Sequence, residues 1–491
     1  MSVQDRQLSF LKSLGYTGSV NDAYRAFLLD QLSPETGSID DLQRYYLKDV
    51  LGYSGSVDDM LREHLLYLGY SGSVTDMLYS AWGKEGFGAL SFAANFSDAG
   101  SGAVDITAIG AGASQTPTFT RATTATTVDS TGTIVSVASG TPRSYYDPTT
   151  LEYMGYLAEG ARTNLLTYSQ QFDNAAWSKF QCSVTADATT SPDGTATADK
   201  LITDNGVNGN LYQATTLTAV SYTASVFAKA GEWSWLLLGA TTAANTGVWF
   251  DLSSGAVGTQ NPGYTGSIQS FGDGWYRCSV TFTGTAVPWD VIVFSTNADN
   301  SISNGDGTSG IYIWGAQIEA GAFPSSYIPT TTASVTRNAD VLTYPSSGNA
   351  ADAGTIYAEY TPLVINAGAF RQNLCLSDGT ANNRICLAQI SQTGGSDTLV
   401  VVSGGVTQAS PANAAIVAGT TYKKAAYYDT NAFRAARGGT LSAEDTSGAV
   451  PTFDKIEIGH NASSQQASAT IKNVRAYQSV FTAAQLQAIT A

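Results

Sequence analysis

Apolar and polar positions alternate in short runs through most of this chain, and only its start departs from that period. Residues 160–342 consist of β-branched and aromatic runs separated by Gly, Asn, Asp and Ser, which is how an all-β sandwich reads. Tyr222, Ala224, Val226 and Ala228 fall on one face of such a run, and residues 275–282 alternate likewise. Ile311, Ile313 and Gly315 share a face, with Tyr312 and Trp314 on the other. Runs at 354–360, 374–377, 384–388, 398–402, 422–428 and 455–459 predict a second sandwich over 352–491. Between the start and the first sandwich, residues 84–159 are rich in Gly, Ala and Thr and read as a linker with a small β region. The expected class is mostly β: two β-sandwiches preceded by a small N-terminal α-helical repeat region.

The start has helical spacing instead. Ser-[Val/Ile]-x-Asp recurs at Ser2, Ser19, Ser38, Ser56 and Ser73, and Gly precedes the last four. Each Ser can cap a helix by accepting an N–H three residues on, and the Asp places negative charge at the positive helix end. Leu-Gly-Tyr at Gly15, Gly52 and Gly69 offers a Gly exit from three of these helices. Helices of about ten residues cannot stand alone. Residues 1–83 therefore read either as a small self-packed domain or as an anchor docking the β-domains onto a larger assembly, and the terminal position favours the anchor.

Composition narrows the partners. The 491 residues exceed one core, so several domains are expected. With 24 Lys and Arg against 40 Asp and Glu, the net charge is −16. Such a surface repels phosphate backbones and anionic lipid, so neither nucleic acid nor membrane is an expected partner. The N-terminus has no basic and apolar stretches of a signal peptide, so synthesis in a cytoplasm is expected. Cys182, Cys278, Cys375 and Cys386 have no CxxC spacing, and His64 and His460 lie far from them; a zinc site is poorly supported. Cys182 and Cys278 sit in strand-like runs and read as small buried hydrophobes. A Cys375–Cys386 disulfide is left open.

An ordered set of motifs carries a resemblance. Residues 118–121 (Thr-Phe-Thr-Arg), 143–148 (Arg-Ser-Tyr-Tyr-Asp-Pro) and 155–166 (Gly-Tyr-Leu-Ala-Glu-Gly-Ala-Arg-Thr-Asn-Leu-Leu) open it. It continues through residues 174–177, 192–201, 225–229, 272–277 and 312–319. The set resembles a module of tailed-bacteriophage virion proteins and implies a carbohydrate-binding jelly roll carried by fibres and head spikes. The end of the chain, residues 469–477 followed by 481–487, resembles the closing strand and short helix of concanavalin-like or laminin-G-like lectin domains. Such domains often bind glycans, often with Ca2+.

Sugar rings present apolar C–H faces on which Trp and Tyr stack. Seven of the eight Trp lie between Trp177 and Trp314. Trp233, Trp235, Trp249 and Trp289 are the candidate glycan contacts, with Trp233 and Trp235 expected on one strand face as a platform; the bland alternative makes that face core. Trp275 and Trp314, in the most family-like strands, read as packing. The loop holding Asp299, Asn304 and Asp306 has oxygens enough for Ca2+, the one cofactor the sequence suggests, but it lacks the EF-hand pattern and a polar loop is the better reading. Asp429 and Asn431 are the only picks in the C-terminal domain, against a plain β-turn.

No Gly-x-Ser-x-Gly, His-Glu-x-x-His or P-loop occurs. Two His cannot readily furnish a triad. A carboxylate pair needs only acids such as Asp251, Asp273, Asp290 and Glu319, and nothing singles out two. The expectation is a non-enzyme: a virion-surface fibre or spike bound to other virion proteins through residues 1–83, engaging host surface polysaccharide, with a homotrimer implied only by the fibre resemblance. The alternatives are a capsid decoration or connector protein with no glycan ligand, and, less favoured, a depolymerase.

Overall fold

The computed structural model describes residues 90–491 apart from 111–112, 242–245, 286–287, 303–304, 347–351, 366–369, 391–395 and 463–464. The expected helical anchor and its caps Ser2, Ser19, Ser38, Ser56 and Ser73 lie outside the described residues.

Two sandwiches form, but one is threaded through the other. The strand Ala469–Tyr477 pairs with Gly354–Pro362 on one side. On its other side it pairs with Leu90–Asn95 and, further along, with Tyr153–Ala158. The opposing sheet takes Thr118–Thr120 onto Val341–Pro345, which pairs in turn with Lys455–Ile458. Strands of the segment expected as a linker with a small β region are thus built into the C-terminal sandwich. Phe92, Phe96 and Tyr156 share one core with Leu342, Tyr360, Leu376 and Val474. This carrier sandwich is discontinuous, made of residues 90–158 and 341–491. Gly, Ala and Thr at 84–159 suggested flexibility, yet small side chains also suit strands pressed against a neighbour. Gly155 is the clearest case: its φ is +105°, and a Cβ there would lie 2.3 Å from the Ile471 carbonyl oxygen.

Between those halves sits the inserted sandwich, two six-stranded antiparallel sheets. One runs Ser178–Phe180, Asn210–Thr216, Pro288–Thr296, Trp235–Thr241, Val248–Asp251, Ala256–Gln260. The other runs Cys182–Thr189, Ala198–Thr203, Gly310–Ala320, Ser221–Ala230, Trp275–Thr283, Thr265–Ser270. Tyr222, Ala224, Val226 and Ala228 all point into the core between them, as the alternation requires. Ile311 and Ile313 do too, with Tyr312 and Trp314 on the outer side. The ladder then shifts opposite Ser225 and Phe227, at Gly315 with φ +63°. One extra residue reverses the facing, so Ala316 and Ile318 turn inward and Gln317 and Glu319 outward.

The chain enters and leaves the insert side by side: Arg162–Asn164 pairs with Val335–Arg337. Buried charges sit at this neck. The Asp340 carboxylate accepts from Arg121 at 2.9 Å and from Arg143 at 2.5 Å. Glu159 accepts from Arg143 at 2.9 Å, from Arg337, and from the Ser326 N–H and hydroxyl at 2.9 and 2.7 Å. Burial pushes the Glu159 carboxyl up, but the Arg337 and Arg143 charges and the Ser326 bonds outweigh it and hold it well below the usual carboxylate range. Elsewhere the sequence expectations for cysteine divide. Cys182 and Cys278 are free and buried, as expected, whereas Cys375 and Cys386 form a disulfide between neighbouring strands. The chain closes with the helix Ala483–Thr490, capped reciprocally by Thr482 and Gln485.

Breaking one partner of a buried ion network leaves uncompensated charge, so Asp340→Asn should cost about 3–5 kcal/mol in urea unfolding. Because the folded Glu159 binds its proton more weakly than the unfolded one, its contribution is fully present above about pH 4.5 and is lost as pH falls below that. Urea midpoints measured from pH 6 to pH 3 should fall less steeply in Glu159→Gln than in the wild type.

Candidate functional site

The expected Trp233–Trp235 platform does not form. Its strand begins only at Trp235. Trp233 lies in a tight turn, its N–H bonded to the Gly310 carbonyl and its own carbonyl taking the Gly231 N–H. These bends break the two-residue alternation. Trp233 therefore packs against the internal core, and Trp235 joins a separate cluster on the outer face of its sheet. Both rings are half-buried. The outer cluster comprises Leu237, Trp249, Ile292 and Phe294, flanked by Tyr212, Trp235 and Ile302. Trp249 is buried, its indole N–H donating to the Ser301 carbonyl at 3.0 Å. The side chain of Trp289 lies outside the described residues. Trp235 is the candidate left usable for stacking: its ring rests on Gly258, where a Cβ would come within 2.6 Å of Cζ3, and Asp299 lies alongside.

The loop carboxylates do not converge on a metal. Asp299 accepts the Thr259 N–H at 2.8 Å and its hydroxyl at 3.1 Å. Asp306 is turned into its own loop, accepting from the Thr308 and Ser309 N–H groups at 2.8 and 2.6 Å. Asn304 lies outside the described residues. Among those described, no group of three His, Cys, Asp or Glu could hold a metal ion. Asp429 and Asn431 form the hairpin turn that was the plainer reading, Asn431 at φ 59°. His460 is buried, 3.0 Å from the Leu342 carbonyl oxygen. Two of the acids considered for catalysis, Glu319 and Asp251, are likewise committed locally. Glu319 accepts from Ser325 at 2.8 and 2.7 Å and from Gln317 at 2.6 Å, and Asp251 binds Ser253 and Ser254.

No sequence pattern pointed to a cleft. A cleft of about 640 Å³ opens where the inserted sandwich meets the carrier, within the size range of ligand sites. Its floor is the outer face of the insert's second sheet, where Ser267 faces Ser279, Gln269 faces Arg277 and Thr265 faces Thr281. Aromatic walls come from Tyr145, Phe271 and Phe323. Ser267 and Gln269 are exposed at the rim, and the Arg277 side chain is buried below them. Arg277 donates to the Ser325 carbonyl at 2.6 Å and to the Ser225 hydroxyl at 3.1 Å, and lies 5.3 Å from the centre of the Phe227 ring. Burial pulls its guanidinium below the ordinary value, against the attraction of Glu319 and Glu159. Phe323 is flanked by two further guanidiniums, Arg162 at 4.7 Å and Arg371 at 5.1 Å.

Neither a protein-family model nor a curated protein matches this chain. Solved structures that resemble parts of it include the CBM40 of the Ruminococcus gnavus IT-sialidase bound to α2,3-sialyllactose, at 18% identity over 29% of this chain and 84% of that one, TM-score 0.25. Domain 4 of AbnA, a GH43 extracellular arabinanase from Geobacillus stearothermophilus, in complex with arabinotriose, aligns at 13% identity over 34% of this chain and 82% of that one, TM-score 0.26. Mouse laminin α1 domains LG4-5 align at 14% identity over 54% and 84%, TM-score 0.19. Resemblance at this level assigns no ligand to this chain.

Burial separates the two outer-face tryptophans energetically. Trp249→Ala should cost about 3–5 kcal/mol, and Trp235→Ala roughly half that or less, in urea unfolding.

Proposed function

We propose that this protein binds host surface polysaccharide without cleaving it, as a fibre or spike protein on the surface of a tailed phage or phage-like particle. The observation that carries the glycan reading is the cleft: a row of Ser, Thr and Gln along one sheet, bounded by aromatic walls. Hydroxyl and amide groups can exchange hydrogen bonds with sugar hydroxyls, and the rings can cover C–H faces. Trp235, on the opposite outer face of the inserted sandwich, offers a second stacking contact. Several weak contacts per particle would add by multivalency. The particle assignment rests on the ordered sequence motifs, with residues 1–83 as the attachment to other virion proteins and a trimer as the expected assembly.

A structural role without a glycan is the second reading, and one observation favours it. Many of the residues carrying the resemblance, among them Arg121, Arg143, Trp177, Trp275 and Trp314, are buried. They support the architecture, although Tyr145, Glu159 and Arg277 of the same motifs also line the cleft. Host-polysaccharide arrays probed with the full chain separate the readings. Retention of at least one glycan, lost on filling the cleft rim with Ser267→Trp, is the expected result. A blank array, with particles whose shells loosen when the protein is absent, would replace adhesion by cementing.

A further inference from the structure

The junction between the sandwiches is cationic in an acidic protein. Arg121, Arg143, Arg162, Arg277, Arg337 and Arg371 gather there around Glu159, Glu319 and Asp340. Asp147, at the cleft, adds one acid, and its carboxylate is already held by Thr149 and Thr150. Six cations thus face four acids, within a chain whose net charge is −16. Most of these arginines are neutralised: Arg121, Arg143, Arg162 and Arg337 each have a carboxylate within 4.0 Å. Arg277 has none among the described residues, and it lines the cleft. Its two donations, to Ser325 and Ser225, use two of five N–H groups, and its Nε is buried without a partner. A buried guanidinium in this state is costly unless an acceptor arrives from outside the chain.

Resting on the glycan reading, we infer that the cleft selects an acidic saccharide and that Arg277 receives its carboxylate. A planar fork of N–H donors matches two carboxylate oxygens. Ser267, Ser279 and Gln269 stand beside it for the hydroxyls of the same ring. A phosphate-rich polymer fits less well, because its repeated charge would meet the chain's overall negative field. The ligand class is therefore a sugar with an isolated carboxylate, of the uronic or the nonulosonic kind.

The test uses the full chain in titration calorimetry with two matched pairs: cellobiuronic acid, which carries one glucuronate carboxylate, against cellobiose, and sialyllactose against lactose. The acidic member of one pair should bind at least tenfold more tightly than its neutral partner, and which pair responds distinguishes the two sources. Arg277→Gln should bring that ratio to within about twofold, and Arg277→Lys, which keeps the charge but not the fork, should fall between. Ser267→Trp should abolish binding of both members without touching the arginine, which keeps the proposal testable if Arg277→Gln unfolds. Equal binding of acidic and neutral sugars, blocked by Ser267→Trp, would overturn the acidic selectivity and leave the glycan reading standing. Binding lost in Trp235→Ala but indifferent to Ser267→Trp would remove the cleft as the site. Absence of binding in both pairs together with a blank glycan array would overturn both readings.

Discussion

At the neck between the two sandwiches, five buried charges hold the entering and leaving strands together. Arg121, Arg143, Glu159, Arg337 and Asp340 come from four separate stretches of chain, and their charges are satisfied only when those stretches meet. Desolvating charge costs several kcal/mol per ion, so the network is tolerable in one arrangement and penalised in any partial one. That makes it a device for specifying how the insert leaves and rejoins its carrier. Backbone reinforces it: the Asp340 N–H donates to the Glu159 carbonyl, and the Glu159 N–H donates back to the Asp340 carboxylate.

The cleft follows from the same junction. A sandwich in water buries one face of each sheet and leaves the other polar, and the insert's second sheet obeys this. Docking onto the carrier then encloses part of that polar face. Thr223, Ser225, Gln317 and Glu319 are buried without being apolar: Ser325 and Ile328 donate to Glu319 and Gln317, Arg277 donates to Ser225, and Thr223 bonds Thr281 and the Gly321 carbonyl. Arg277 lies at the border between the covered part and the cleft. The Ser325 carbonyl and the Ser225 hydroxyl take two of its donors, and the others have no partner among the described residues.

The aromatic residues divide by the same logic of coverage. Trp177, Trp275 and Trp314 fill gaps between elements and have almost no exposed surface. Trp249 starts on an outer face and is then covered by the loop carrying Ser301 and Ile302. Trp235 ends half-covered at the edge of that same cluster. Aromatic density alone could not distinguish these fates, because each depends on a loop folding back from tens of residues away.

Local structure is legible in short-range pattern. Period-two alternation set which faces of 222–228 and 311–314 turn inward, and it placed many strands of 354–477, though not those at 406–409, 412–415, 432–437 and 440–441. The Thr482–Gln485 spacing encoded its own helix cap, and the strand-like settings of Cys182 and Cys278 foretold their burial. Tertiary structure decided what pairs with what. The Gly- and Ala-rich stretch after residue 90 has the composition of a linker, and became strand because Ala469–Tyr477 and its neighbours offered open edges. The bend between Gly231 and Trp235 placed two tryptophans on different faces, and strand pairing brought Cys375 beside Cys386. Arg277 stood in the sequence as one polar residue of an alternating strand. Its buried, part-satisfied guanidinium exists only because two sandwiches close around it, and short-range pattern carries no record of such an enclosure.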